Sequence, residues 1–124
     1  MADIVVTVPK SFQYKGLKGL AAWVSEGDPA GEEWSGTEWG FFMRGNPPTR
    51  ISPGERVYVV CENKLRGYSP LIRIHNFGSN QYALIRRGDA VAVTLEDPIK
   101  GFQGYRYRWW DRKDEIDFPD WMTP

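Results

Sequence analysis

A chain of 124 residues with 41% apolar and 26% charged residues can bury a core without disulfide or metal staples. Its 16 basic and 16 acidic residues cancel, which excludes a global field drawing it onto nucleic acid or an anionic membrane. The single Cys61 excludes an internal disulfide, and no apolar run is long enough to span a bilayer.

The N-terminus MADIVVTVPK lacks the basic region and apolar core of a secretory leader, so a cytoplasmic setting is expected. Beginning with Met and bearing no purification tag, the chain is read as complete, as one domain over residues 1–124. Asp3 to Pro9 is dense in β-branched residues and ends at proline, which predicts a buried strand. Leu17, Leu20, Ala21 and Val24 follow at the spacing of one helix face, with Gly27 placed to stop the helix. Residues 28–54 are loop-rich, with a short strand expected over Trp39 to Met43. Arg56 to Glu62 then predicts a strand that turns near Glu62-Asn63-Lys64 and returns through Leu71 to Ile74. Tyr82 to Arg86 and Ala90 to Leu95 predict two more strands. Asp97-Pro98 marks a turn, and Phe102 to Trp110 is expected to form a last, aromatic strand.

With 13 Gly, 9 Pro and short strands throughout, the pattern predicts an α+β domain. A small, curled, mostly antiparallel β-barrel with one or two short helices would remove the sheet edges.

The stretch PGERVYVVCENKLRGYSPLIRI resembles the middle of PUA-like domains, the group that includes the PUA, ASCH, EVE and YTH types. There a Gly-acid-x-Val strand is followed by a returning strand that contains Gly. GLKGLAAWVSEGD also sits where that group places its first helix. The likeness spans roughly Asp3 to Leu95, and the Trp-rich tail lies outside it. It implies a pseudobarrel whose cleft takes up RNA or a single, often modified, base between aromatic walls. The Lys/Thr/Glu set of enzymatic ASCH domains has no stretch of this chain onto which it can be carried.

Six Trp, six Tyr and six Phe supply the candidate sites. On a strand, Tyr105, Tyr107 and Trp109 would share one face, with Arg106, Arg108 and Trp110 on the other. Either the ring face completes the core under snorkelling arginines, or one ring offers a stacking platform while Arg106 or Arg108 meets a phosphate. Trp34 and Trp39 lie in an acidic, loop-rich region. They either fold back as a lid or form, with Trp23 and beside Glu33 and Glu38, a cage for a planar or cationic group. In NKLRGYSP, Gly67 allows close backbone approach or a positive φ. Lys64, Arg66, Tyr68 and Arg73 there are either solvated turn residues or a basic hairpin for a nucleic-acid backbone.

The expectation is a binding module for RNA, a nucleotide or a single base, without cofactor, metal or membrane, as a monomer or weak dimer. Two alternatives stay open. One is a small nucleoside-directed hydrolase of ASCH type with Lys64 and Glu62 as its acid/base pair. The other is an accessory domain whose aromatic tail docks on a protein partner.

Overall fold

The computed structural model describes residues 2–9, 11, 13–14, 16–25, 34–36 and 38–118. Ten strands are assigned among them: β1 (Ile4–Thr7), β2 (Gln13–Tyr14), β3 (Leu17–Lys18), β4 (Glu38–Arg44), β5 (Arg56–Cys61), β6 (Lys64–Gly78), β7 (Gln81–Arg87), β8 (Val93–Thr94), β9 (Tyr105–Tyr107) and β10 (Ile116–Asp117). One helix, α1 (Gly19–Ser25), and a 3-10 turn at Arg112–Asp114 complete the set.

Six strands form one sheet in the order β4-β7-β6-β5-β1-β9, while β2 with β3 and β8 with β10 make two small ladders. Every pair in the large sheet is antiparallel except β1 with β5. β4 stands at one end of that order and β9 at the other. The expected barrel is therefore not closed. The fold is α+β and strand-rich, built on an open sheet.

The two parts of the sheet are joined by β6, a strand of 15 residues. Its first half, Lys64 to Pro70, pairs with β5. Its second half, from Leu71, pairs with β7. Pro70 sits at the change of partner, where a missing N–H costs the ladder least. Both turns flanking β6 have two central residues, each with positive φ: Glu62 and Asn63 before it, Ser79 and Asn80 after it.

The β-branched pattern puts alternate residues on opposite faces, and both faces of the β1–β5 region are buried. Ile4, Val6, Val57 and Val59 join Tyr82 and Leu84 of β7 in the main core, which α1 covers with Leu20 and Trp23. Val5, Tyr58, Val60 and Leu65 form a second core with Val93 and Ile99, edged by Phe102 and Trp110. Residues 93–102, with Trp110, thus cover the back of the sheet.

The helix is shorter than expected. Leu17 belongs to β3 and is exposed, so the buried pair on α1 is Leu20 with Trp23. Gly27 lies outside the described residues. The last two strands are also cut back, to Val93–Thr94 and Tyr105–Tyr107. No helix among the described residues is long and apolar enough to cross a membrane.

Gly67 is where β6 meets the chain returning at Val91. Tyr68 N donates to Val91 O at 3.0 Å and Val91 N to Tyr68 O at 2.8 Å. A Cβ on Gly67 would lie 2.4 Å from Val91 O, a backbone atom that cannot swing aside. The variant Gly67→Ala is expected to lose about 1–3 kcal/mol of stability, measured by urea unfolding, through this overpacking.

Candidate functional site

The C-terminal segment has too little regular structure to hold itself in place. Two buried carboxylates tie it down. Asp3, 1% exposed, accepts from Arg56 N at 2.8 Å, Arg108 Nε at 2.9 Å and Arg112 Nη2 at 2.9 Å. Burial alone would raise the Asp3 carboxyl, but the bonds from the Arg56 N–H, Arg112 and Arg108 outweigh it and hold the pKa below its ordinary 3.8. Glu115 forms the second tie. Its carboxylate accepts from Tyr58 Oη at 2.5 Å, Trp110 Nε1 at 2.9 Å and Arg56 Nη1 at 3.1 Å. Burial, then this bond to Glu115, pushes the Tyr58 hydroxyl far above its ordinary 10, so it remains a donor.

The ties fix the rings. Trp110 packs edge-on to Tyr58 at 5.1 Å between centroids. Trp109 packs edge-on to Trp110 at 5.0 Å and to Phe102 at 6.4 Å. Its indole remains 53% exposed. Together with the loop from Leu95 to Lys100, these two tryptophans line a cleft of about 710 Å³. The loop is pinned by Ile99, which is buried and donates its N–H to Asn63 O at 3.1 Å. Arg106 closes another wall, its guanidinium 4.5 Å from the Phe102 ring centre. Glu96, Asp97 and Asp114 oppose Lys100 and Arg106 around the cleft, so the lining carries both signs.

The Trp109 ring can stack with a planar group, the carboxylates can accept hydrogen bonds, and the two cations can pair with an anion. Among the described residues there is no group of three or more His, Cys, Asp or Glu side chains that could hold a metal ion.

Of the tail residues named from sequence, Arg106, Trp109 and Trp110 line this cleft, and the cage and hairpin residues do not. Trp23 is sealed in the main core at 1% exposure, with the Arg86 guanidinium 4.3 Å from its ring centre. Trp34 is exposed, yet Arg87 lies 4.5 Å over its ring. Trp39 is half-buried on β4, in register with Arg86. The chain's own guanidinium groups thus occupy ring faces that the proposed cage would have offered to a cation, and Glu33 lies outside the described residues.

The basic hairpin is also redirected. Arg66 is buried, donates from Nε to Cys61 O at 3.1 Å and faces Glu62 at 3.7 Å. Lys64 places its ammonium 5.2 Å from the Phe118 ring centre. Glu62 and Lys64, the hydrolase pair, therefore turn to different partners, and neither lines the cleft. Tyr68 is half-buried beneath Arg56, and Arg73 is paired with Glu38 at 2.7 Å. Arg108 donates to Asp3 and to the Trp110 carbonyl.

Lys100, Glu96, Asp97 and Asp114 complete the cleft, and nothing in their local sequence marks them as binding residues. A strand extended through Trp110 would place Trp109 on the tyrosine face. The strand ends at Tyr107, and Tyr105 and Tyr107 pack on the main core instead. Comparison of the chain with protein-family models, curated proteins and solved structures finds no match.

A carboxyl whose pKa falls on folding stabilises the protein above its unfolded value and loses that contribution as pH drops through the folded value. Asp3 therefore contributes fully above about pH 4 and progressively less in more acid solution. Asp3→Asn is expected to cost on the order of 2 kcal/mol near neutral pH, because Arg108 and Arg112 lose a charged acceptor. The variant should also show a flatter decline of melting temperature below that pH than the parent chain.

Proposed function

We propose that this chain is a nucleic-acid or nucleotide binding module of PUA-like type, which stacks a single base on Trp109 in the cleft beneath the C-terminal segment. The observation that carries this reading is the half-exposed Trp109 indole, braced at the mouth of the cleft by Trp110 and Phe102. A ring held edge-on from two sides is pre-organised, so stacking on it costs little side-chain entropy. The cleft is of a size that suits a small ligand.

The charge pattern narrows the reading. Three acids and two bases around the opening favour one base with its own phosphate over a long run of backbone. Arg106 and Lys100 are the phosphate partners, and Glu96 or Asp97 the acceptor for an amino-bearing base edge. The resemblance over residues 3–95 supports the same class of ligand, while the cleft itself is built largely from the tail beyond it.

Quenching of tryptophan fluorescence by a panel of mononucleotides and short RNA and DNA oligomers at low salt tests the proposal. Trp109→Ala is expected to weaken binding roughly 5- to 150-fold, the value of one stacked base. Unchanged binding in a folded Trp109→Ala variant would falsify the assignment. The affinity of a single strand should fall with salt at a log–log slope of about −1.4, the value for two neutralised phosphates. A much steeper slope would mean that a different, more basic surface binds.

A further inference from the structure

The far end of the sheet has a different character. β4 is an edge strand, and its only strand partner among the described residues is β7. Gly45 N donates to Asn80 O at 2.7 Å, which marks the directly opposed Gly45/Asn80 pair as hydrogen-bonded. Stepping back two residues at a time, Met43, Phe41 and Trp39 therefore turn their backbone groups to β7. Glu38, Gly40, Phe42 and Arg44 turn theirs outward. The same four residues project from the sheet face away from the core, and Phe42 is 75% exposed. No described strand pairs with this edge, β4 contains neither proline nor lysine, and all seven of its residues keep extended pairing without a bulge.

We propose that β4 pairs antiparallel with β4 of a second copy of this chain, about a twofold axis through Phe41. The sequence Glu38-Trp39-Gly40-Phe41-Phe42-Met43-Arg44 is self-complementary in that register and in no other close to it. Glu38 falls opposite Arg44 of the second copy at both ends, so two ion pairs form across the seam. Phe42 falls opposite Gly40, the one position without a side chain to collide with the ring. The outward residues supply about eight ladder hydrogen bonds, two for each of their four pairs. Parallel pairing in register would set Glu38 against Glu38 and Arg44 against Arg44. A slip by two residues would lose both ion pairs. The twofold arrangement is also closed, so pairing stops at two chains. The partner is thus a second copy rather than an arbitrary strand, because the charges at the two ends of β4 are each other's complement. Glu38 already faces Arg73 within the chain at 2.7 Å, and a second guanidinium can share its carboxylate.

Sedimentation equilibrium of the full chain, at concentrations from about 1 μM to about 1 mM, reads this directly. The expected mass rises from 14.3 kDa toward twice that value. Arg44→Glu sets like charges opposite at both ends and is expected to weaken the dimer about tenfold or more. Adding Glu38→Arg to it restores the dimer by reversing both pairs. Phe42→Pro removes an outward N–H that β7 does not use and should give a folded monomer, as judged by circular dichroism. Amide exchange provides a second readout: Gly40 and Phe42 gain protection with concentration, whereas Phe41 is protected throughout. A monomer across the whole range overturns the proposal and leaves the edge to a strand from another protein. A dimer indifferent to Arg44→Glu and Phe42→Pro overturns it equally, by placing the interface elsewhere.

Discussion

Two buried carboxylates hold the segment from Arg108 to Glu115 to the sheet. Asp3 lies just before β1 and Glu115 just after the 3-10 turn, so segments far apart in the chain are fastened by buried charge. A buried carboxylate is costly unless several donors converge on it, and both of these have donors from separate elements. Arg56 serves both networks, through its N–H to Asp3 and its guanidinium to Glu115. The segment from Arg108 to Glu115 has only a three-residue 3-10 turn of its own, and hydrogen bonds to these carboxylates replace the ladder it lacks. Because Trp109 and Trp110 lie on that segment, the cleft exists only while the ties hold.

The sheet beneath is organised by the change of partner along β6. One half of it is buried on both faces, against the main core and against residues 93–102 with Trp110. Among the described residues, the half formed by the end of β6 with β7 and β4 is covered on the core side, and Phe42 and Phe77 stack at 6.1 Å on its other face. The two halves thus do different work. The doubly covered half carries stability, and the cover supplies the cleft. The open half leaves an edge and an aromatic surface in solvent.

Charge and aromaticity are closely interleaved throughout. Arg86 lies over Trp23, Arg87 over Trp34, Arg56 over Tyr68, Arg50 over Tyr107 and Arg106 over Phe102. Such contacts set a guanidinium over a ring face, buried with its ring at Arg86 and exposed to solvent at Arg106. This accounts for a ring-rich tail studded with arginine in a chain of zero net charge. Most of its cations are committed to internal partners, and Arg106 and Lys100 are those that reach the cleft.

Much of the fold was legible in the residues. The β-branched run at Ile4 to Val8, the alternation from Arg56 to Cys61, the Glu62-Asn63 turn and the close approach at Gly67 follow from local pattern and sterics. The continuity of β6 was not legible, because a proline in mid-strand reads as a break unless the strand is known to change partners there. Nor was the fate of the arginines, since Arg66, Arg106 and Arg108 have the same chemistry in sequence and different neighbours in space. By itself the sequence determined a small strand-rich domain with an excess of rings beside charges, because periodicity and composition act over a few residues. Only the tertiary structure decided which rings are sealed, which cations are occupied and that the sheet stays open, because those outcomes depend on contacts between segments as far apart as Asp3 and Arg112.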